Sequence, residues 1–509
     1  MHESLRKRHN RSKAGTLVSL CLLLAIAVPW LAGTAKVSAD QPVIWSKPVN
    51  LSQSDESSVH PAIVADSMGN IHLFWSEEVG GEPMLQDEMA RPGNTILYTR
   101  WDGQSWIEPR DVLYVRGEYL GDYVSVAIDD NNRLHAVWTG LDNIYYSSAP
   151  AAVAETAQSW SKPVVVGTGS ARSAFESAVA VDSQGVIHVA YGARRDVPGV
   201  NYVQSSNGGE TWSAPVTLSL PLDRLESGYS QVRLVVDSAD RIHATWTTFQ
   251  RQGFGQGVYH SRSTDGGLTW NTPYRLAYRE DDDIFVEWPY LTEFADQELR
   301  VIFTDGDGKG RLQRISTDGG ETWGEPTVIL TELEGINGYI ISLLDAAEQP
   351  HLIANMRTRS DGTVGLFYAP GAGGGWQPTV PIATDLPYGP SSHYPAAAVR
   401  LGNEIHIVWT QLRRGEIWHM KGEVSGVEPL PVMERLPPQE VVQPSPTISI
   451  STPTPEPLET VAPSRERGVA GPTPAPVAPP SPLGAVLPGI TLSLLLVLGV
   501  IVWKGVRAR

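Results

Sequence analysis

The chain has 509 residues, with 48 glycines, 39 prolines and a formal net charge of −17. That length can bury a sizeable core, and that acidity excludes a nucleic-acid backbone as the main partner. The single cysteine, Cys21, lies in an N-terminal apolar stretch, so the remainder has no disulfide, no cysteine metal site and no thiol nucleophile.

Taken in chain order, the first element reads as an export signal over residues 1–39. Arg6, Lys7, Arg8, Arg11 and Lys13 precede the apolar run Leu17–Ala32, and Val37-Ser38-Ala39 supplies the small residues that cleavage after Ala39 requires. The alternative is a retained N-terminal anchor. Lipid attachment at Cys21 is disfavoured, because Leu20 stands where a small residue is wanted.

Residues 40–424 carry a repeat: small and apolar residues, Asp, a turn, then Ile/Leu-His and an aromatic three residues on. It reads IVADSMGNIHLFW (Ile63–Trp75), VAIDDNNRLHAVW (Val126–Trp138), VAVDSQGVIHVAY (Val179–Tyr191) and LVVDSADRIHATW (Leu234–Trp246). Looser copies follow at Leu291–Phe303, Ser342–Ala354 and Ala397–Trp409. Each is an alternating strand, a tight turn and a second alternating strand, and each is followed by another strand pair. One unit of four short antiparallel strands cannot bury both faces alone, so recurrence at this period predicts an all-β radial array, a β-propeller. Seven copies point to seven blades, with six as the alternative. VIWSKPVNL (Val43–Leu51) resembles QSWSKPVVV (Gln158–Val166), the last strand of a unit, while the seventh unit lacks that strand. The N-terminal segment is expected to supply it and close the ring.

A second phrase recurs as SSNGGETWSAP (Ser205–Pro215), STDGGLTWNTP (Ser263–Pro273) and STDGGETWGEP (Ser316–Pro326), with WDGQSW (Trp101–Trp106) as a worn copy. It falls between the third and fourth strands. Asp265, Asp318 and Asn207 can accept turn N–H groups, the glycines can take positive φ, and Trp212, Trp270 and Trp323 are expected to pack between blades. This phrase is the Asp-box, and its recurrence resembles the sialidase-like (BNR repeat) propellers over nearly all of residues 43–424. In that family the boxes lie away from the active site. The resemblance implies an arginine triad gripping a sugar carboxylate, a Tyr nucleophile activated by Glu, and an Asp acid/base. Glu176 or Glu287 with Tyr290, Tyr339 or Tyr394, and Asp87 or Asp122, are the residues that such a site would draw on. The Arg-Ile-Pro motif that normally supplies the first arginine is absent; the corresponding region reads SDESSVHPAIV (Ser54–Val64).

One propeller face carries the loops that lead into the innermost strands; the Asp-box turns lie on the other. Six residues before each repeat Asp or its equivalent stand His60, Tyr123, Glu176, Gln231, Tyr290, Tyr339 and Tyr394, flanked by Asp122, Tyr229, Glu287, Trp288 and His393. The second set of loops on that face carries Arg194, Arg195, Arg357 and Arg413 among other basic residues. Aromatic rings stack on sugar faces and Arg forks bind carboxylate or sulfate, so the expected ligand is a glycan or another anionic molecule at the central funnel. The repeated His72, His135, His188, His243, His351 and His406 sit in separate blades and cannot converge on one ion. TDGDGKG (Thr304–Gly310) has Lys309 where a calcium loop needs its third acid. No metal and no cofactor are expected.

Residues 425–482 are rich in Pro, Ser and Thr and read as a disordered stalk. Residues 483–503 form an uncharged stretch, about 31 Å as a helix against a hydrocarbon core of about 30 Å, and predict a transmembrane helix. Lys504, Arg507 and Arg509 then place residues 504–509 in the cytoplasm. The expectation is a single-pass protein of a bacterial cell surface, its ectodomain monomeric and displayed outside. Three functions compete: a non-catalytic binding module, an exo-acting glycoside hydrolase of the sialidase type, and a scaffold for envelope proteins.

Overall fold

The computed structural model describes residues 43–432, except 81–92, 117–119, 169–176, 194–197, 224, 251–252, 280–285, 296, 306–310, 336–338, 373 and 385–391. The expected signal segment, stalk, membrane span and cytoplasmic tail therefore lie outside the described residues, as do Asp87, Glu176, Arg194 and Arg195. Among the described residues no helix is long and apolar enough to cross a membrane.

The repeat folds into seven antiparallel sheets, which are the blades of one propeller. Their innermost strands are Ser58–Ala65, Asp122–Ile128, Ser177–Val181, Glu226–Val236, Val286–Ala295, Ile340–Leu344 and Ser392–Arg400, in blades 1 to 7. These strands contact one another in succession, and that of blade 7 contacts that of blade 1, so the ring is closed. Closure uses the N-terminal segment as expected. Val43–Trp45 pairs antiparallel with Gly422–Val424, and Val49–Asn50 pairs with Trp418 and His419 of the same strand. Val43 and Val424 are opposite each other, so both ends of the propeller chain leave from the Asp-box face.

Two side-chain devices recur around the ring, one within blades and one between them. Within blades, the repeat His joins the Asp six residues before it to a Tyr on the third strand. His72, His135, His188 and His351 bond Tyr98, Tyr146, Tyr202 and Tyr368 through Nδ1 at 2.6–2.8 Å. Their Nε2 atoms face Asp66, Asp129, Asp182 and Asp345. In blades 4 and 7 a second histidine replaces the Tyr, giving the pairs His243–His260 at 3.1 Å and His406–His419 at 3.0 Å. Burial pushes the Tyr146 hydroxyl up to about 12 and raises that of Tyr202, so these phenols stay protonated.

Between blades, every blade offers one Trp four residues ahead of its outer strand, and that Trp meets an aromatic ring of the preceding blade. Trp106 packs on His419, Trp160 on Phe74, Trp212 on Tyr146, Trp270 on Tyr202 and Trp323 on His260. Trp376 meets Phe294, and Trp45 of the closing segment meets Tyr368. Edge-on contacts of this kind add about 0.5–1.5 kcal/mol each beyond the area they bury.

The Asp-box supplies three of these tryptophans and is a self-contained turn. In blade 4 the Ser263 hydroxyl donates to Asp265 at 2.8 Å and accepts from Gly267 N–H at 2.9 Å. Asp265 also accepts from the Thr269 N–H and hydroxyl, at 2.9 and 2.6 Å. Asp318 and Asn207 repeat the arrangement.

Candidate functional site

Five positions at or beside the funnel mouth share an unusual backbone. His60, Tyr123, Gln231, Trp288 and Tyr394 have φ of 53°, 50°, 55°, 59° and 50°. Each sits at a break in register between the innermost strand and the second strand of its blade. A bulge of this kind inserts an extra residue and re-aims its side chain, and a bulky residue at positive φ is a strained choice worth about 1–3 kcal/mol. Neighbouring blades hold the strain in place. The Thr410 hydroxyl of blade 7 accepts from His60 N–H at 3.2 Å, and Gln231 Oε1 of blade 4 accepts from Trp288 N–H at 2.7 Å.

The bulges bring their rings to the propeller axis. His60 stacks on Tyr123 with centroids 3.8 Å apart and meets Tyr394 edge-on at 4.2 Å. Tyr394 meets Tyr339 at 4.9 Å, and Tyr339 meets Trp288 at 4.5 Å. Blades 1, 2, 5, 6 and 7 thus contribute to one aromatic cluster. His60 Nδ1 lies 2.5 Å from Asp122 Oδ1, across the joint between blades 1 and 2. Asp122 is buried and also accepts from Tyr123 N–H at 2.9 Å. The pair is a candidate acid/base unit.

Below the rings is a cavity of about 270 Å³ whose walls include Ser125, Ser177, Arg233 and Tyr290. Arg233 and Tyr290 stand two residues after the bulge positions Gln231 and Trp288, in adjacent blades. Burial raises the Tyr290 hydroxyl pKa, opposed by the charge of Arg233. Arg233 is the one arginine among the described residues that line this cavity.

Several expected site residues need correction. Tyr290 lines the central cavity with His60, Tyr123, Tyr339 and Tyr394, but the blade 5 residue at the positive-φ bulge is Trp288. Phe294, six residues before Arg300, holds the repeat Asp position in blade 5, and the six-residue count from it falls on Trp288; counting from Asp296 gives Tyr290 instead. Tyr229 is buried in the core, with its hydroxyl donated to Leu220 O at 2.6 Å. Arg357 pairs with Glu334 at 2.5 Å and Arg413 is exposed in a turn, so neither stands in the cavity wall. Glu287 lies beside Arg311, a fully buried arginine that donates to Gly335 O at 2.9 Å. Burial pulls the Arg311 pKa down to about 10, with Glu287 opposing. Arg233 escaped the sequence reading, although it is the only charged residue four positions ahead of a repeat Asp.

A family model described as a BNR repeat-like domain matches residues 143–407. No curated protein matches the chain. Among solved structures, a protein of unknown function from Dyadobacter fermentans is 15% identical and covers 75% of this chain and 99% of its own, with a TM-score of 0.49. The NanB sialidase of Streptococcus pneumoniae is 14% identical, with coverage of 75% and 70% and a TM-score of 0.43. An ulvan lyase, a polysaccharide lyase bound to a GlcA–Rha3S unit, is 10% identical, with coverage of 73% and 95% and a TM-score of 0.51. At these identities the likeness is one of fold.

Proposed function

Since this chain belongs to the BNR repeat-like domain family, we propose that it is a binding propeller that takes an anionic glycan at its central funnel. The observation that carries this reading is the ring of His60, Tyr123, Trp288, Tyr339 and Tyr394 above Arg233. Five blades hold strained or buried positions to build a surface of rings, and a guanidinium below them suits a carboxylate or sulfate. A sialidase mechanism draws on three convergent arginines, whereas one lines the described cavity. The proposal includes a tether: a signal segment over residues 1–39, a stalk over 425–482 and a membrane helix over 483–503. Because both ends of the propeller leave from the Asp-box face, a tether at either end starts opposite the funnel mouth.

The test is a glycan array followed by titration of the hits. Sulfated or uronate-bearing glycans are expected to bind, with Tyr394→Ala and Arg233→Gln each weakening affinity about tenfold or more. Binding that ignores both substitutions would remove the funnel from consideration.

A second reading has its own observation. The close His60–Asp122 pair beside Tyr123 and Tyr394 has the residue types of general acid–base catalysis, so the same funnel could cleave an acidic glycan. The ulvan lyase is described as bound to a uronate–sulfated rhamnose unit, and that class of polymer is the first substrate to offer. Turnover would show as the ultraviolet absorbance of an unsaturated uronate product, or as release from an aryl sialoside. Either signal, lost in His60→Ala, would replace the binding reading.

A further inference from the structure

Blade 5 breaks the formula that the other blades keep. Where they place the repeat His, it has Arg300; where five of them place the partner Asp, it has Phe294. The Arg300 guanidinium lies 4.1 Å over the Phe294 ring, and its Nε and Nη2 both reach Glu298 Oε1 at 2.7 Å. Arg300 is buried, at 6% exposure, and its Nη1 has no partner among the described residues. Blade 6 departs as well. Its hairpin between third and fourth strands lacks the Asp-box and carries Gly371, Ala372, Gly374 and Gly375 instead.

These departures meet at a cavity of about 660 Å³ on the Asp-box face, away from the funnel mouth. Its walls are mainly apolar, with Phe294, Pro350, Pro370 and Val427 among them, and Arg300 and Glu298 stand at one side. Charge decides the class of occupant. Arg300 is neutralised by Glu298, so a bare anion gains little there and would approach Glu348 and Asp345 as well. A cation would meet the guanidinium. Asp345 is already engaged by the Ala347 and Gln349 N–H groups at 2.8 and 2.9 Å and faces His351. What the wall offers is a flat, charge-balanced fork: a buried N–H donor without a partner among the described residues, and a carboxylate that accepts from Arg300 through one oxygen. Vicinal hydroxyls on an apolar ring complement that arrangement, and the volume suits a ligand of about two sugar rings.

We propose that the groove between blades 5 and 6, with Arg300 and Glu298 at its side, is a second binding site, for a neutral saccharide. It is independent of the funnel and of the anionic ligand assigned there.

The experiment is titration of the full-length protein in lipid nanodiscs with maltose, cellobiose and diacetylchitobiose, beside a glucuronate disaccharide. A neutral disaccharide is expected to bind equally to the parent and to the funnel variant Tyr394→Ala. Ala347→Trp, an exposed position on the groove wall, should weaken that binding about tenfold or more. Glu298→Gln leaves Arg300 uncompensated and should shift preference toward the glucuronate, an effect that simple loss of packing would not produce. The proposal fails if no neutral disaccharide binds the parent, if Ala347→Trp has no effect, if Glu298→Gln leaves the preference unchanged, or if Tyr394→Ala abolishes the binding. Thermal melts of each variant show that it is folded.

Discussion

At the scale of single residues, two positions show how closely the blades interlock. Gly267, the second glycine of an Asp-box, has φ of +85°, and a Cβ placed there would come within 1.9 Å of the Tyr202 hydroxyl of the preceding blade. Gly267→Ala therefore meets both a backbone penalty and a clash with a buried, hydrogen-bonded side chain. We expect a loss of about 2–4 kcal/mol, read by denaturant unfolding, with Gly266→Ala milder because open space surrounds that site. The buried His260 and His419 carry a different consequence. Burial, then the neighbouring histidine and a basic residue (Arg262 or Lys421), hold both well below the ordinary histidine value. The unfolded chain therefore takes up these protons first, and stability falls as pH drops below about 6.5. His260→Tyr with His419→Tyr restores the His–Tyr pair of the other blades. The double variant should show a shallower fall in Tm between pH 7 and 5; an unchanged slope would refute the assignment.

At the scale of one element, the Asp-box acts as a turn whose carboxylate organises its own loop. Burial raises the Asp318 pKa, but the Thr322 hydroxyl, its N–H and Ser316 outweigh that and bring it down to about 2. Its folded value lies below the unfolded one, so its contribution is present at neutral pH and is lost as pH falls from about 4 through about 2. Asp318→Ala should lower stability by about 1–2 kcal/mol at pH 7, and the difference from the parent should shrink on acidification. The three boxes differ in this respect: Asn207 holds the same turn without a charge, so Asn207→Ala should show no such dependence on pH. Much of this element was legible in the sequence. Ser, Asp, Gly-Gly, Thr and Trp stand within eight residues of one another, and their bonds span four residues or fewer. The mouth bulges were not legible, because a break in register is a property of two paired strands.

At the scale of the whole molecule, ring closure depends on an eight-residue segment far from its partner in sequence. Val43–Trp45 pairs with Gly422–Val424, and Trp45 fills the slot on Tyr368 that an Asp-box Trp fills elsewhere. Without that segment, blade 7 would end on an unpaired strand edge, a template for association. Removing residues 43–50 should lower Tm sharply and promote aggregation, measured by light scattering during a thermal melt. Trp45→Ala alone should cost about 3 kcal/mol, since it empties one of seven equivalent joints.

The periodic parts of this protein were set by sequence alone. Seven repeats, the strand that closes them and the turns that punctuate them follow from local alternation and short-range bonding, which a linear chain displays openly. The site was decided by tertiary structure. His60 and Asp122 are 62 residues apart and meet only because adjacent blades put their innermost strands side by side. Trp288 joins the mouth rings because it is the residue at the register break of its blade, while Tyr290, two residues on, lines the cavity with Arg233. Repetition tells which residues share a role in their own blades; only closure of the ring determines which of them converge.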